Sequence, residues 1–251
     1  MRIVSLAPSA TSILCAVGAK KILVGVTKWC ADVASVDGLP KLGDCWHMKS
    51  VEAILQLRPT LVIGSVPYKQ ETVARLLAHP INFLAMNPRS LADVERDIRL
   101  LGGLVNRRAA AERIISGMRR SFSAIRTSAR SKPRVRVYSE AWSNPRISSP
   151  PWVAELVEIA GGEMVLPSGC TVTEKQVATA NPELIVLAWA ATGDKAKRRA
   201  AYGVVGWKEV AAIQNRQVHV VRDELLNTPG PPLVHGAKEL AKLISGVQAA
   251  R

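Results

Sequence analysis

Aromatic side chains make up only 4% of this 251-residue chain, and the shortage falls on phenylalanine and tyrosine: there are two and three of them, against six tryptophans. Acids are scarce too, 20 Asp and Glu against 34 Lys and Arg, and the resulting net charge of +14 attracts anions without specifying a fold. Cysteine is limited to Cys15, Cys30, Cys45 and Cys170, with no C-x-x-C pair and no Cys/His cluster at zinc-ligand spacing. Cys15 belongs to an apolar helical pattern. Cys30 and Cys45 pair only if their loops meet; the alternative is free thiols in a reducing compartment. No apolar run approaches the length of a membrane span. Met1-Arg2 and the apolar residues 3–7 have the outline of an export signal, but Pro8 interrupts them and Ser9-Ala10-Thr11-Ser12 dilutes them. A strand, a turn and a helix explain the segment better, so the chain is expected to be soluble and to carry no export signal. Also missing are a Gly-rich phosphate loop, a G-x-S-x-G elbow and an H-E-x-x-H helix, and nothing in the sequence calls for an enzyme.

What is present is ordinary globular composition, 48% hydrophobic and 22% charged, arranged as alternating short apolar runs and amphipathic stretches. That alternation predicts α/β architecture with mainly parallel sheets. Strands are expected at 2–6, 22–27, 61–63, 81–85, 134–138, 184–188 and 217–221. Helices are expected at 8–17, 50–57, 70–78, 151–160, 174–180 and 231–247. Residues 90–131 contain no proline, and Val94, Ile98, Leu101, Val105, Ile115, Met118, Phe122 and Ile125 recur at helical spacing. They predict one helix of about 40 residues, about 60 Å long, which is longer than a compact lobe and suits a strut. A helix, a Pro-x turn and a buried strand occur at 51–63 and again at 174–186, an internal echo that points to two related lobes.

Function in open α/β sheets lies at the carboxyl ends of the strands. Those ends bear Trp29, Tyr68, Trp142 and Trp189, with Trp46 and His47 on a neighbouring loop. Four of the six tryptophans thus fall on loops, where large rigid faces suit a flat or macrocyclic ligand. Trp152 and Trp207 lie in helical segments and read as structural. His79, His219 and His235 carry no site pattern. His47 with Asp44 and Cys45 forms the one loop that an enzyme on this scaffold would use. The basic excess gathers between residues 107 and 136, with ten Lys and Arg against the single acid Glu112. No nucleic-acid module accompanies it and the loop aromatics do not interleave with it, so a solvated helix face is expected rather than a nucleic-acid partner.

Several segments carry a resemblance in the correct order along nearly the whole chain. They are Ile3-Val4-Ser5-Leu6-Ala7-Pro8-Ser9, Val24-Gly25-Val26-Thr27, Leu39-Pro40 and Leu57-Arg58-Pro59-Thr60-Leu61-Val62-Ile63, then Ile159-Ala160-Gly161-Gly162, Asn181-Pro182-Glu183-Leu184-Ile185-Val186 and Asn227-Thr228-Pro229-Gly230-Pro231. The chain resembles the class III solute-binding proteins, the cobalamin and iron-siderophore receptors of ABC importers. The resemblance implies two Rossmann-like lobes of parallel sheet, at 1–89 and 133–251, joined by one long backbone helix at 90–132 with a ligand cleft between the lobes. It implies capture of a corrinoid or an iron chelate (siderophore or haem) without catalysis and without a cofactor of the protein's own. Trp46, Tyr68, Trp142 and Trp189 match the cleft aromatics, joined at the ligand by Trp29, His47 and Asn227. Glu71 and Asp194 stand where such proteins dock on an ABC permease. A monomer in the periplasm or cell envelope is implied, with a cytoplasmic location the alternative suggested by the N-terminus.

Overall fold

Ile3, Val4 and Ser5 are all buried, and they form β1 (Ile3–Ser5), the central strand of the first sheet. The computed structural model describes residues 1–48, 50–192 and 195–251. After β1 come α1 (Pro8–Ala16), β2 (Leu23–Thr27), β3 (Lys41–Leu42), the short α2 (Glu52–Leu55), β4 (Leu61–Ser65), α3 (Gln70–Leu77), β5 (Phe83–Met86) and α4 (Leu91–Leu104). The strands pair in the order β3-β2-β1-β4-β5, all parallel. The chain therefore starts mid-sheet, winds outward, then crosses back to the other side of β1. The carboxyl ends of β1 and β4 flank that reversal, the place where α/β sheets open a crevice. Ile3, Val4, Leu14, Ile63, Ile98 and Leu101 are buried in this core, which uses aliphatic residues where phenylalanine is scarce.

The expected single strut is two helices. α4 stops at Leu104, and α5 (Arg108–Ala129) begins four residues later. Asn106 takes a left-handed conformation (φ 55°), its N–H bonds to Gly103 O at 3.2 Å, and the Arg107 N–H bonds to Gly102 O at 2.7 Å. This pair of reverse bonds satisfies the last carbonyls of α4 and ends it. Gly102 also lies where a Cβ would sit 2.6 Å from Ala111 Cβ, so the glycine permits close packing of the turn that follows. The chain divides into two compact units, Met1–Ser116 and Gly117–Arg251, and the boundary falls inside α5.

The second unit continues with β6 (Val135–Ser143), β7 (Arg146–Ser148), α6 (Pro151–Ile159), β8 (Gly162–Met164), α7 (Glu174–Ala180), β9 (Leu184–Leu187), α8 (Arg199–Tyr202), α9 (Ala211–Gln214), β10 (Val218–Val220), α10 (Asp223–Asn227) and α11 (Leu233–Ala249). Its strands run β10-β9-β6-β7, with β8 also on β6; only β7 is antiparallel. β6 is long enough to pair β8 along its first residues and β7 along its last.

The internal echo is borne out at the level of single bonds. The residue before each proline turns left-handed, Arg58 at φ 45° and Asn181 at φ 43°. In unit 1 the Arg2 guanidinium donates to Leu57 O at 2.8 Å, and the Arg2 N–H donates to Thr60 Oγ1 at 3.0 Å. In unit 2 the Arg136 guanidinium donates to Ala180 O, and the Arg136 N–H donates to Glu183 Oε2 at 3.0 Å. Each arginine thus clamps the end of one helix to the start of the central strand.

Candidate functional site

At the carboxyl edge of unit 1, the loop after β3 carries Trp46 and His47. Asp44 Oδ1 accepts the N–H of Trp46 at 2.9 Å and that of His47 at 2.6 Å, which folds the loop back on itself. Gly43 is required there, since a Cβ would meet His47 O at 2.4 Å. Cys45 is buried beneath the loop, while Trp46 remains 46% exposed. The Lys69 N–H donates to Cys45 O at 3.0 Å, joining this loop to the one after β4. In that second loop Tyr68 is half-buried, its hydroxyl donating to Met86 O at 2.9 Å and its ring edge-on to Phe83. Trp29 lies in the 3-10 turn after β2, with the Lys28 ammonium 4.3 Å from its ring centroid. Trp46 and His47 on the loop after β3 and Tyr68 on the loop after β4 are thus tied to one edge of the sheet, and Trp29 follows β2 at that same edge.

In the loop of Asp44, Cys45 and His47, the Cys45 thiol is held in its neutral form. Burial, then the neighbouring Asp44 charge, pushes the Cys45 thiol up to about 12, so it stays protonated at neutral pH. The Asp44 carboxylate is engaged with backbone N–H groups rather than with His47's ring. Cys30 and Cys45 are both free; Cys30 receives the Thr11 hydroxyl at 3.0 Å instead. Among the described residues, no three His, Cys, Asp or Glu side chains gather as a metal-binding group.

At the carboxyl edge of unit 2, Trp142 ends β6 at 43% exposure, its indole N–H donating to Asn144 O at 2.8 Å. Trp189 follows β9 and is half-buried, with its indole N–H donating to Glu140 Oε1 at 2.8 Å. Asn227, at the end of α10, donates from Nδ2 to Ala188 O at 2.6 Å, and Asp223 Oδ2 accepts the Ala191 N–H at 3.0 Å. α10 therefore fastens the backbone on both sides of Trp189. Trp152 and Trp207 are buried, their N–H groups bonded to Leu226 O and Glu174 O.

Glu71 is exposed in the first turn of α3, where the helix dipole favours an acid. Asp194 lies outside the described residues. Arg108, Arg113, Arg119, Arg120 and Arg126 are exposed along α5. Among the described residues, no helix is long and apolar enough to cross a membrane. The residues that sequence reasoning missed are Glu140, Arg146 and Asp223. No sequence signal marked Glu140: residues 135–140 read Val-Arg-Val-Tyr-Ser-Glu, and the acid differs from a surface one only through the Arg146 and Trp189 side chains that the fold brings to it.

A family model for periplasmic binding proteins matches residues 3–225. The ABC transporter substrate-binding lipoprotein YvrC of Bacillus subtilis is 27% identical over 256 residues, covering 97% of this chain and 79% of that protein. The vitamin B12-binding protein of Vibrio parahaemolyticus is 24% identical over 260 residues, covering 100% of this chain and 91% of the relative. The solved structure of the periplasmic heme-binding protein RhuT from Roseiflexus shares the fold, with a TM-score of 0.83 and 22% identity over 98% of each chain.

Proposed function

Because this chain belongs to the periplasmic binding protein family, we propose that its ligand is a flat or macrocyclic molecule, a corrinoid such as cobalamin or a metal chelate such as haem or a ferric siderophore. The ligand is cargo for ABC-type uptake and leaves unchanged. The observation that carries this reading is the aromatic equipment of the two carboxyl edges: Trp46 stands exposed on the loop after β3 and Trp142 stands exposed near the end of β6, although the chain has few aromatics. Indole and phenol rings offer wide faces at small entropic cost, which suits stacking on a planar macrocycle. Trp46, Tyr68, Trp142 and Trp189 are the principal contacts, with Trp29, His47 and Asn227 beside them. A relative named as a vitamin B12-binding protein and a like-folded heme-binding protein support the ligand class.

Binding without catalysis agrees with a Cys45 thiol held protonated. Glu71 and Asp194 serve as docking acids for a permease, and a monomer at the cell envelope fits a relative named as a substrate-binding lipoprotein. The test is titration with hydroxocobalamin, haemin and a ferric siderophore while following tryptophan emission. Saturable quenching by one of them is expected; unchanged emission with all three overturns the reading.

A further inference from the structure

Glu140 is 0% exposed, on a strand where Tyr138 and Ser139 are buried as well. A carboxylate in such a place is costly unless fully partnered, and the fold does not demand one. The register that sets Ile3 on Leu61 sets Val137 on Leu184, so Ser139 occupies the place of Ser5, and Glu140 the place of Leu6. Unit 1 fills that position with a buried leucine. Unit 2 fills it with a charge.

The charge is held from three sides. Oε2 accepts the Tyr138 hydroxyl at 2.7 Å and Arg146 Nη1 at 3.1 Å, and Oε1 accepts the Trp189 indole N–H at 2.8 Å. Burial, with the Glu140 charge next, pushes the Tyr138 phenol up, so it remains a donor. Arg146 is fixed in turn: Nη2 bonds Glu174 at 3.2 Å, and the guanidinium lies 4.6 Å from the ring centroid of buried Trp207. The carboxylate is thus anchored by β6, β7, α7 and the core. Trp189 is the member of this network that stands at the carboxyl edge.

We propose that Glu140 is a positioning residue for ligand capture: its carboxylate fixes the indole of Trp189, so that unit 2 presents a pre-oriented aromatic face. The inference rests on the ligand reading above. A tryptophan ring turns about two torsions, and a rigid acceptor on its N–H removes that freedom before the ligand arrives. Glutamine keeps an acceptor oxygen at this place, whereas leucine, the residue of unit 1, does not.

The experiment uses the full chain with 15N-labelled tryptophan indoles, and hydroxocobalamin and haemin as probes. The Trp189 N–H signal is the one lost in Trp189→Phe. It is expected to exchange slowly with solvent in the ligand-free wild type and in Glu140→Gln, and at least about tenfold faster in Glu140→Leu. The leucine variant is expected to bind whichever probe the wild type binds about tenfold more weakly, and glutamine to stay within about threefold. In the Trp189→Phe background, Glu140→Leu should add no further loss of affinity. Rapid exchange of this N–H in the wild type overturns the proposal without recourse to any variant. An unmoved signal in Glu140→Leu does the same, as does an affinity loss that is undiminished in the Trp189→Phe background. Should neither probe bind the wild type, the ligand class fails, and the indole exchange alone decides the role of Glu140.

Discussion

The Cys45 sulfur occupies the space that a side chain on Gly64 would need: a Cβ on Gly64 would lie 2.5 Å from Cys45 Sγ and 2.9 Å from the Phe83 ring. Gly64, in β4 next to the central strand, is what lets the loop bearing Trp46 and His47 seat against the sheet. Gly64→Ala is therefore expected to cost about 1–3 kcal/mol by overpacking. Urea unfolding would measure that loss, and the Trp46 emission should shift as the loop lifts.

Asp97, on α4, is 4% exposed, and burial raises its carboxyl from the ordinary 3.8 to about 6 despite Arg96 nearby. The folded protein holds this proton more tightly than the unfolded chain. Its contribution to stability is complete below about pH 4 and is lost as the pH rises through about 6, an effect on the order of 2–3 kcal/mol. Asp97→Asn should accordingly stabilise the protein at pH 7 and give no advantage at pH 4. Urea midpoints at the two pH values are the check.

Asn106 ends α4 in a left-handed conformation that β-branched residues resist. Asn106→Val should destabilise by about 1–2 kcal/mol, while Asn106→Gly should change stability by less than about 1 kcal/mol. Equal unfolding midpoints for the two variants would contradict the assignment of this residue as the helix stop.

The Cys45 thiol, buried and raised to about 12, should resist alkylation in the native protein at pH 8. Mass spectrometry after a timed iodoacetamide pulse is expected to find the half-exposed Cys15 and Cys170 modified before Cys45. Early modification of Cys45 would reopen the case for a reactive loop at 44–47.

Glu71 lies exposed in the first turn of α3. Glu71→Lys should leave ligand affinity and melting temperature unchanged while lowering cellular uptake of the ligand several-fold. Undiminished uptake would remove Glu71 from the docking surface.

The sequence was legible where burial and punctuation act together. β1, β4 and β9 are buried parallel strands that read as apolar runs, and α1, α3, α6 and α7 are bounded by proline, glycine or capping residues. β3, β7 and β8 escaped because Lys41-Leu42, Arg146-Ile147-Ser148 and Gly162-Glu163-Met164 offer no apolar run and become strand only by finding a partner already in place. The break at 105–107 was hidden by an unbroken apolar period on both sides, which records the buried face and not the turn between. Trp46 could be placed because loops follow strands, whereas Trp142, expected on a loop, belongs to β6, which runs past 138 to Ser143 because β7 folds back to pair with it. Glu140 could not, since its meaning depends on Arg146 returning through the hairpin and on Trp189 arriving from another strand.

Arg2 and Arg136 have one further consequence. Their backbone N–H groups find an oxygen from Thr60 in one unit and from Glu183 in the other, two side chains with nothing in common but an acceptor at the right place. Descent from a duplicated ancestor would leave this trace: bonds inherited, residues replaced. Letter-by-letter comparison of the halves therefore passes over a likeness that a comparison of their backbone bonds records.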